Sequence, residues 1–130
     1  AARRALSGFA ARKLAADAVV VEQGKPAPGL FIVLEAALEV TALVGDERVA
    51  LRTLGPGDVF GEMSLLDDDG ATASVSARGP STVLVLPRVA FAELVLAVPT
   101  LRARLELLAA QRRLSNEALL PDASSAATLL

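Results

Sequence analysis

Apolar and polar residues fall in short bursts of strand character through the middle of the chain and at helical spacing toward its ends. The run over 19–22 is the first predicted strand, and Gly24, Pro26, Pro28 and Gly29 then force a loop. Residues 30–35 form a continuous apolar stretch, which predicts a central strand buried on both faces, and 38–44 predicts the next. Gly45, Asp46 and Glu47 lead into a strand over 48–54, where Val49 and Leu51 alternate with Arg48 and Arg52. That alternation puts both arginines on a wet face. Gly55-Pro56-Gly57-Asp58 is a turn, Val59 and Phe60 a short strand, and 72–77 and 82–86 are strands parted by Gly79 and Pro80.

Beyond Pro87 the period changes from two to about 3.6, predicting a helix over 88–97 and a longer one over 100–118, with Pro99 between them. At the other end Leu6, Phe9, Ala10 and Leu14 share one side of a helical wheel, so an amphipathic helix is expected there. A single domain over 1–118 and a flexible tail over 119–130, rich in Ala and Ser, complete the expected organisation. The chain opens on alanine rather than methionine, and it is expected to be part of a larger protein.

Composition narrows the class. Hydrophobic residues make up 53% of the 130 and aromatic ones 3%, so the expected core is aliphatic and the chain is not disordered. Thirteen basic and 15 acidic residues give a net charge of −2, which leaves no global footprint for nucleic acid or an anionic membrane. With no cysteine there are no disulfides and no thiolate chemistry. No apolar run approaches the roughly 18 residues of a membrane span. The expected compartment is the cytoplasm.

The segment 60–77 reads F-G-E-M-S-L-L-D-D-D-G-A-T-A-S-V-S-A. It resembles the phosphate-binding cassette of the cyclic-nucleotide-binding domain family (catabolite activator protein-like effector domains), whose pattern is close to F-G-E-x-[AS]-L-L-x-x-x-P-R-[ST]-A-[ST]-V-x-A. Gly55-Pro56-Gly57-Asp58 and Gly24 with 30–33 fit the same family, so the resemblance runs over about 15–118. It implies a mainly β fold, a jelly-roll β-barrel (double-stranded β-helix) of about eight strands with flanking N- and C-terminal helices. It also implies a non-enzymatic regulatory or sensor domain.

A glycine lets backbone approach a ligand closely, and the first turn of a following helix offers unpaired N–H groups to an anion. The resemblance therefore implies ligand-binding residues at Gly61, Glu62, Met63, Ser64, Ala71 and Thr72. In the family the glutamate, here Glu62, accepts from the ribose 2′-hydroxyl, and amides near Met63 and Ser64 face the cyclic phosphate. Thr72 matches the hydroxyl residue after the phosphate arginine. That arginine is replaced by Ala71, and a methyl group cannot supply its charge-assisted fork. Asp67, Asp68 and Asp69 stand just before it and repel an anion further. Arg78, the nearest downstream cation, lies at an odd strand offset and should face away. Cyclic AMP or cyclic GMP binding is accordingly expected to be weak or lost, with another small ligand, or a ligand-free dimerisation or docking role, as the alternative.

Three smaller departures stand at Ala36 and Asp17, where the family commonly has glycines, and at Gly70, where it has proline. Asp67-Asp68-Asp69-Gly70 does not keep the alternate-acid spacing of a calcium loop. Zero histidines remove the imidazole ligands of a jelly-roll metal enzyme and a Ser-His-Asp triad around Ser64. No catalytic set, cofactor or metal is expected. On the long helix Leu101, Leu105, Leu108 and Leu119, with Leu107 and Leu114, could form a homodimer seam over 100–118. Nothing after Ala118 resembles a DNA-reading helix-turn-helix, so no nucleic-acid contact is expected from this chain.

Overall fold

The computed structural model describes residues 8–67 and 70–119. In chain order these form β1 (Ala10–Leu14), β2 (Val19–Val21), β3 (Gly29–Glu35), β4 (Leu38–Val44), β5 (Glu47–Leu54), β6 (Val59–Phe60), α1 (Glu62–Asp67), β7 (Ser74–Ala77), β8 (Ser81–Pro87), α2 (Arg88–Ala97) and α3 (Pro99–Leu119). The eight strands make two antiparallel four-stranded sheets, β1-β8-β3-β6 and β2-β7-β4-β5. This is the mainly β jelly roll that the sequence predicts, although among the described residues no ladder joins the sheets into a closed barrel.

The core between the sheets is aliphatic apart from the stacked rings of Phe31 and Phe60, whose centroids lie 4.8 Å apart. Leu14, Val33 and Val83 of one sheet meet Leu38, Val40, Leu54 and Val75 of the other. A second cluster forms on the outer face of β3 and β8, where Leu30 and Leu86 pack against Phe91, Leu94 and Val95 of α2 and Leu105 of α3. The unbroken apolar run of β3 is thereby explained, since Phe31 and Val33 serve the inner core while Leu30 serves the helices.

The expected N-terminal helix does not extend over 10–14. That segment is β1, paired with β8 from Ala10↔Val85 to Leu14↔Ser81. Ala10, Ala11, Arg12 and Lys13 are exposed and only Leu14 is buried, so burial gave no reward for a helix. Pairing instead satisfies the outer backbone groups of β8, which would otherwise be an open sheet edge. Residues 1–7, including Leu6, and the expected tail beyond Leu119 lie outside the described residues.

The seam expected on the last helix also divides. Leu105 is 7% exposed and belongs to the domain's own packing, whereas Leu107 is 61% and Leu114 67% exposed. No helix among the described residues is long and apolar enough to cross a membrane.

Candidate functional site

Gly61 opens the site. Its φ of +93° lies in the left-handed region, and a Cβ there would stand 2.5 Å from the Gly29 carbonyl oxygen. Only glycine meets both demands. The chain then enters α1, and Ser64, buried on that turn, accepts a 2.9 Å hydrogen bond from the Ala27 N–H through Oγ. Arg88 Nη1 donates to the Ala27 carbonyl at 2.8 Å. The loop before β3 is thus clasped from both sides.

On the far side of the cavity Gly70 lies against Gly24 so closely that a Cβ would come within 2.5 Å of the Gly24 carbonyl oxygen. Steric fit accounts for glycine at this position. Ala71 donates its N–H to the Lys25 carbonyl at 2.9 Å and accepts from the Gly24 N–H at 2.8 Å. Its backbone is fixed while its methyl faces the cavity.

The cavity holds about 490 Å³, counting the part open to solvent, and all six residues singled out from the sequence line it: Gly61, Glu62, Met63, Ser64, Ala71 and Thr72. The rest of the wall is largely apolar, with Val21, Val40, Leu54 and Val75 from the four strands of one sheet. Thr72 is exposed, and its hydroxyl lies 3.9 Å from the Met63 sulfur.

Two further charged residues line the cavity that sequence reasoning assigned no role there, Arg52 of β5 and Arg112 of α3. Arg112 Nη1 donates to Glu62 Oε1 at 2.7 Å, and that carboxylate-bearing side chain is 1% exposed. Arg52 Nη2 donates to Asn116 Oδ1 and, at 3.4 Å, to Ser115 Oγ. Asn116 in turn donates from Nδ2 to Thr72 Oγ1 at 3.4 Å. Helix α3 therefore closes on the cassette through one ion pair and one amide bridge.

Arg52 reaches the cavity because strict alternation fails in β5. Val40 of β4 pairs with Arg52, but the next residue, Thr41, pairs with Ala50, leaving Leu51 as the extra residue of a bulge. A bulge turns consecutive side chains toward one face, so Leu51 is buried and Arg52 half-buried from adjacent positions. The prediction that Arg52 faces water is corrected on that ground. Burial makes the Arg52 guanidinium easier to deprotonate than usual, the nearby Arg112 charge adds to this, and Glu62 opposes it. Arg78 is exposed and does not line the cavity, as its offset predicts.

Fold and site together define a jelly-roll domain with a lined cavity on which its last helix closes. The profile of the family described as "Cyclic nucleotide-binding domain" matches residues 11–97, more than half of the chain, and the chain belongs to that family. Cyclic AMP receptor protein of Thermus thermophilus is 36% identical over 110 residues, which cover 83% of this chain and 50% of that protein. A cGMP-dependent protein kinase of Caenorhabditis briggsae is 35% identical over 86 residues, 64% of this chain and 12% of the kinase. The crystal structure of Thermus thermophilus Catabolite Activator Protein matches with a TM-score of 0.74 at 31% identity, covering 90% of this chain and 55% of that one. The chain spans about half the length of the receptor protein it matches.

Proposed function

We propose that the chain is a non-enzymatic regulatory domain whose affinity for cyclic AMP and cyclic GMP is weak or lost, and that it transmits the state of its pocket through α3. The observation that carries this reading is Ala71, a methyl group facing the cavity where the family's cassette has its phosphate-binding arginine. Hydrogen bonds to a charged group contribute roughly 1.5–3 kcal/mol each, so losing that fork lowers affinity about 10- to 100-fold or more. Glu62, the expected ribose partner, is moreover held by Arg112. A ligand that takes Glu62 must rearrange α3, and this supports coupling between pocket and helix.

Titration calorimetry with cyclic AMP and cyclic GMP tests the proposal. Dissociation constants well above micromolar at physiological salt are expected, and a sub-micromolar value overturns the weak-binding part. A second reading, a ligand-free dimerisation or docking domain, is favoured by the exposure of Leu107 and Leu114 on α3. In either case the output belongs to a longer regulatory protein acting in the cytoplasm.

A further inference from the structure

The geometry points to a ligand of a particular class: a small organic monoanion with an apolar body, its charged group held by Arg52 at the β5–α3 end of the cavity instead of by the cassette. This inference rests on the reading of the cavity as a regulatory pocket.

Charge balance is the first support. Among the described residues lining the cavity, the charged ones are Arg52, Arg112 and Glu62. Glu62 is consumed by Arg112, so one positive charge is left over in a largely apolar site. The cost of that imbalance falls on Arg52, which burial and the neighbouring guanidinium both destabilise as a cation. An anionic group beside it offsets both penalties by direct attraction, as Glu62 already does in part.

Donor supply is the second support. A guanidinium has five N–H donors in a planar fork. Among the described residues, Arg52 bonds only from Nη2, to the neutral Asn116 and Ser115 side chains. Its Nε and Nη1 donors have no protein acceptor there, and a carboxylate or phosphodiester accepts from such a pair. The third support is the wall, where Val40, Leu54 and Val75 offer apolar surface to a ring or short chain. A neutral ligand uses that surface but leaves the charge unanswered.

Carboxylates and phosphodiesters share this chemistry, and calorimetry at low and physiological salt separates them. The probes are benzoate and octanoate on one side and cyclic AMP and cyclic GMP on the other, with benzamide and adenosine as neutral counterparts. At least one monoanion should bind roughly 10-fold or more tightly than its neutral counterpart, and Arg52→Gln should lose that margin. Arg52→Lys, which keeps the charge without the fork, should fall between them. If Arg52→Gln does not fold, the anion-to-neutral ratio of the wild type and the Arg52→Lys titration decide instead. Equal binding of anion and neutral probe, anion binding unchanged by Arg52→Gln, or no monoanion binding at all overturns the inference. The regulatory reading is tested separately. Arg52-dependent cyclic AMP binding below micromolar sinks weak nucleotide affinity while supporting the anion inference. Cyclic AMP binding gained only by Ala71→Arg, with no monoanion bound by the wild type, does the reverse.

Discussion

Arg112 and Glu62, 50 residues apart in sequence, form a 2.7 Å ion pair that fastens the last helix to the cassette. The glutamate is 1% and the arginine 17% exposed at the side chain. Removing the arginine alone strands a carboxylate in the interior, whereas removing both charges does not.

Arg112→Leu should therefore destabilise the domain by about 3 kcal/mol, the lower end for breaking a buried pair because Arg112 keeps some solvent contact. Adding Glu62→Gln should restore a large share of that loss, since no buried charge then remains. Urea denaturation of the two single variants and the double variant measures the coupling. Additive effects would show that the pair contributes nothing of its own.

Asp17 and Ala36 are the non-glycine residues at positive φ among those described, at +68° and +67°. Left-handed backbone costs a residue with a Cβ about 1–2 kcal/mol, while glycine returns about 0.4–1 kcal/mol through the freedom of the unfolded chain. Ala36→Gly should thus gain about 0.5 kcal/mol, and Asp17→Gly less, because a short polar side chain tolerates this region better. Thermal melts should show a higher Tm for Ala36→Gly. A lower Tm would mean that the turn needs its methyl group.

These two positions also show how far the sequence could be read. They stood out because the family commonly places glycine there, and a glycine preference is a statement about φ. The cassette was legible for a similar reason: Gly61, Glu62, Met63, Ser64, Ala71 and Thr72 belong to one continuous segment, and local backbone constraints bring all six to the lining of one cavity. Arg52 and Arg112 were not legible. One depends on a bulge at Leu51 that breaks the alternation of its strand, and the other on where α3 lies over the cassette, a tertiary fact that helical periodicity does not encode. β1 was misread because an exposed segment takes its conformation from the sheet edge it covers, not from its own apolar spacing.

If the domain self-associates, the surface is the α3 face bearing Leu107 and Leu114, exposed and one heptad apart. Leu107→Glu or Leu114→Glu should weaken a dimer seen by concentration-dependent sedimentation without changing the melting temperature much. Leu105→Glu should instead unfold the domain, because Leu105 is packed against α2 and β3. A monomer at every concentration accessible would leave those leucines with no role in self-association.

Ala71→Arg should create or strengthen cyclic-nucleotide binding. The backbone at this position is already tied on both sides, by the Ala71 N–H to the Lys25 carbonyl and by the Gly24 N–H to the Ala71 carbonyl. A longer side chain therefore extends into the cavity without moving the backbone that the bridge to Gln23 and these two bonds hold. The new guanidinium supplies two directed, charge-assisted bonds to the cyclic phosphate, for which a gain of roughly 10-fold or more is expected. Repulsion from Arg52 and Arg112 works against this in the empty pocket, so the free variant should be slightly less stable than wild type and the nucleotide-bound variant more so. Adding Glu62→Ala should remove much of the gain, because it deletes the acceptor for the ribose hydroxyl and releases Arg112. Titration calorimetry of the wild type, the single variant and the double variant with cyclic AMP checks each step. If Ala71→Arg binds no better than wild type, either the Arg112–Glu62 clasp holds the ribose site shut or the cassette register differs from the family's. Combining Ala71→Arg with Arg112→Leu then distinguishes a blocked site from one whose cassette register differs from the family's, since only a blocked site recovers binding when the clasp is cut.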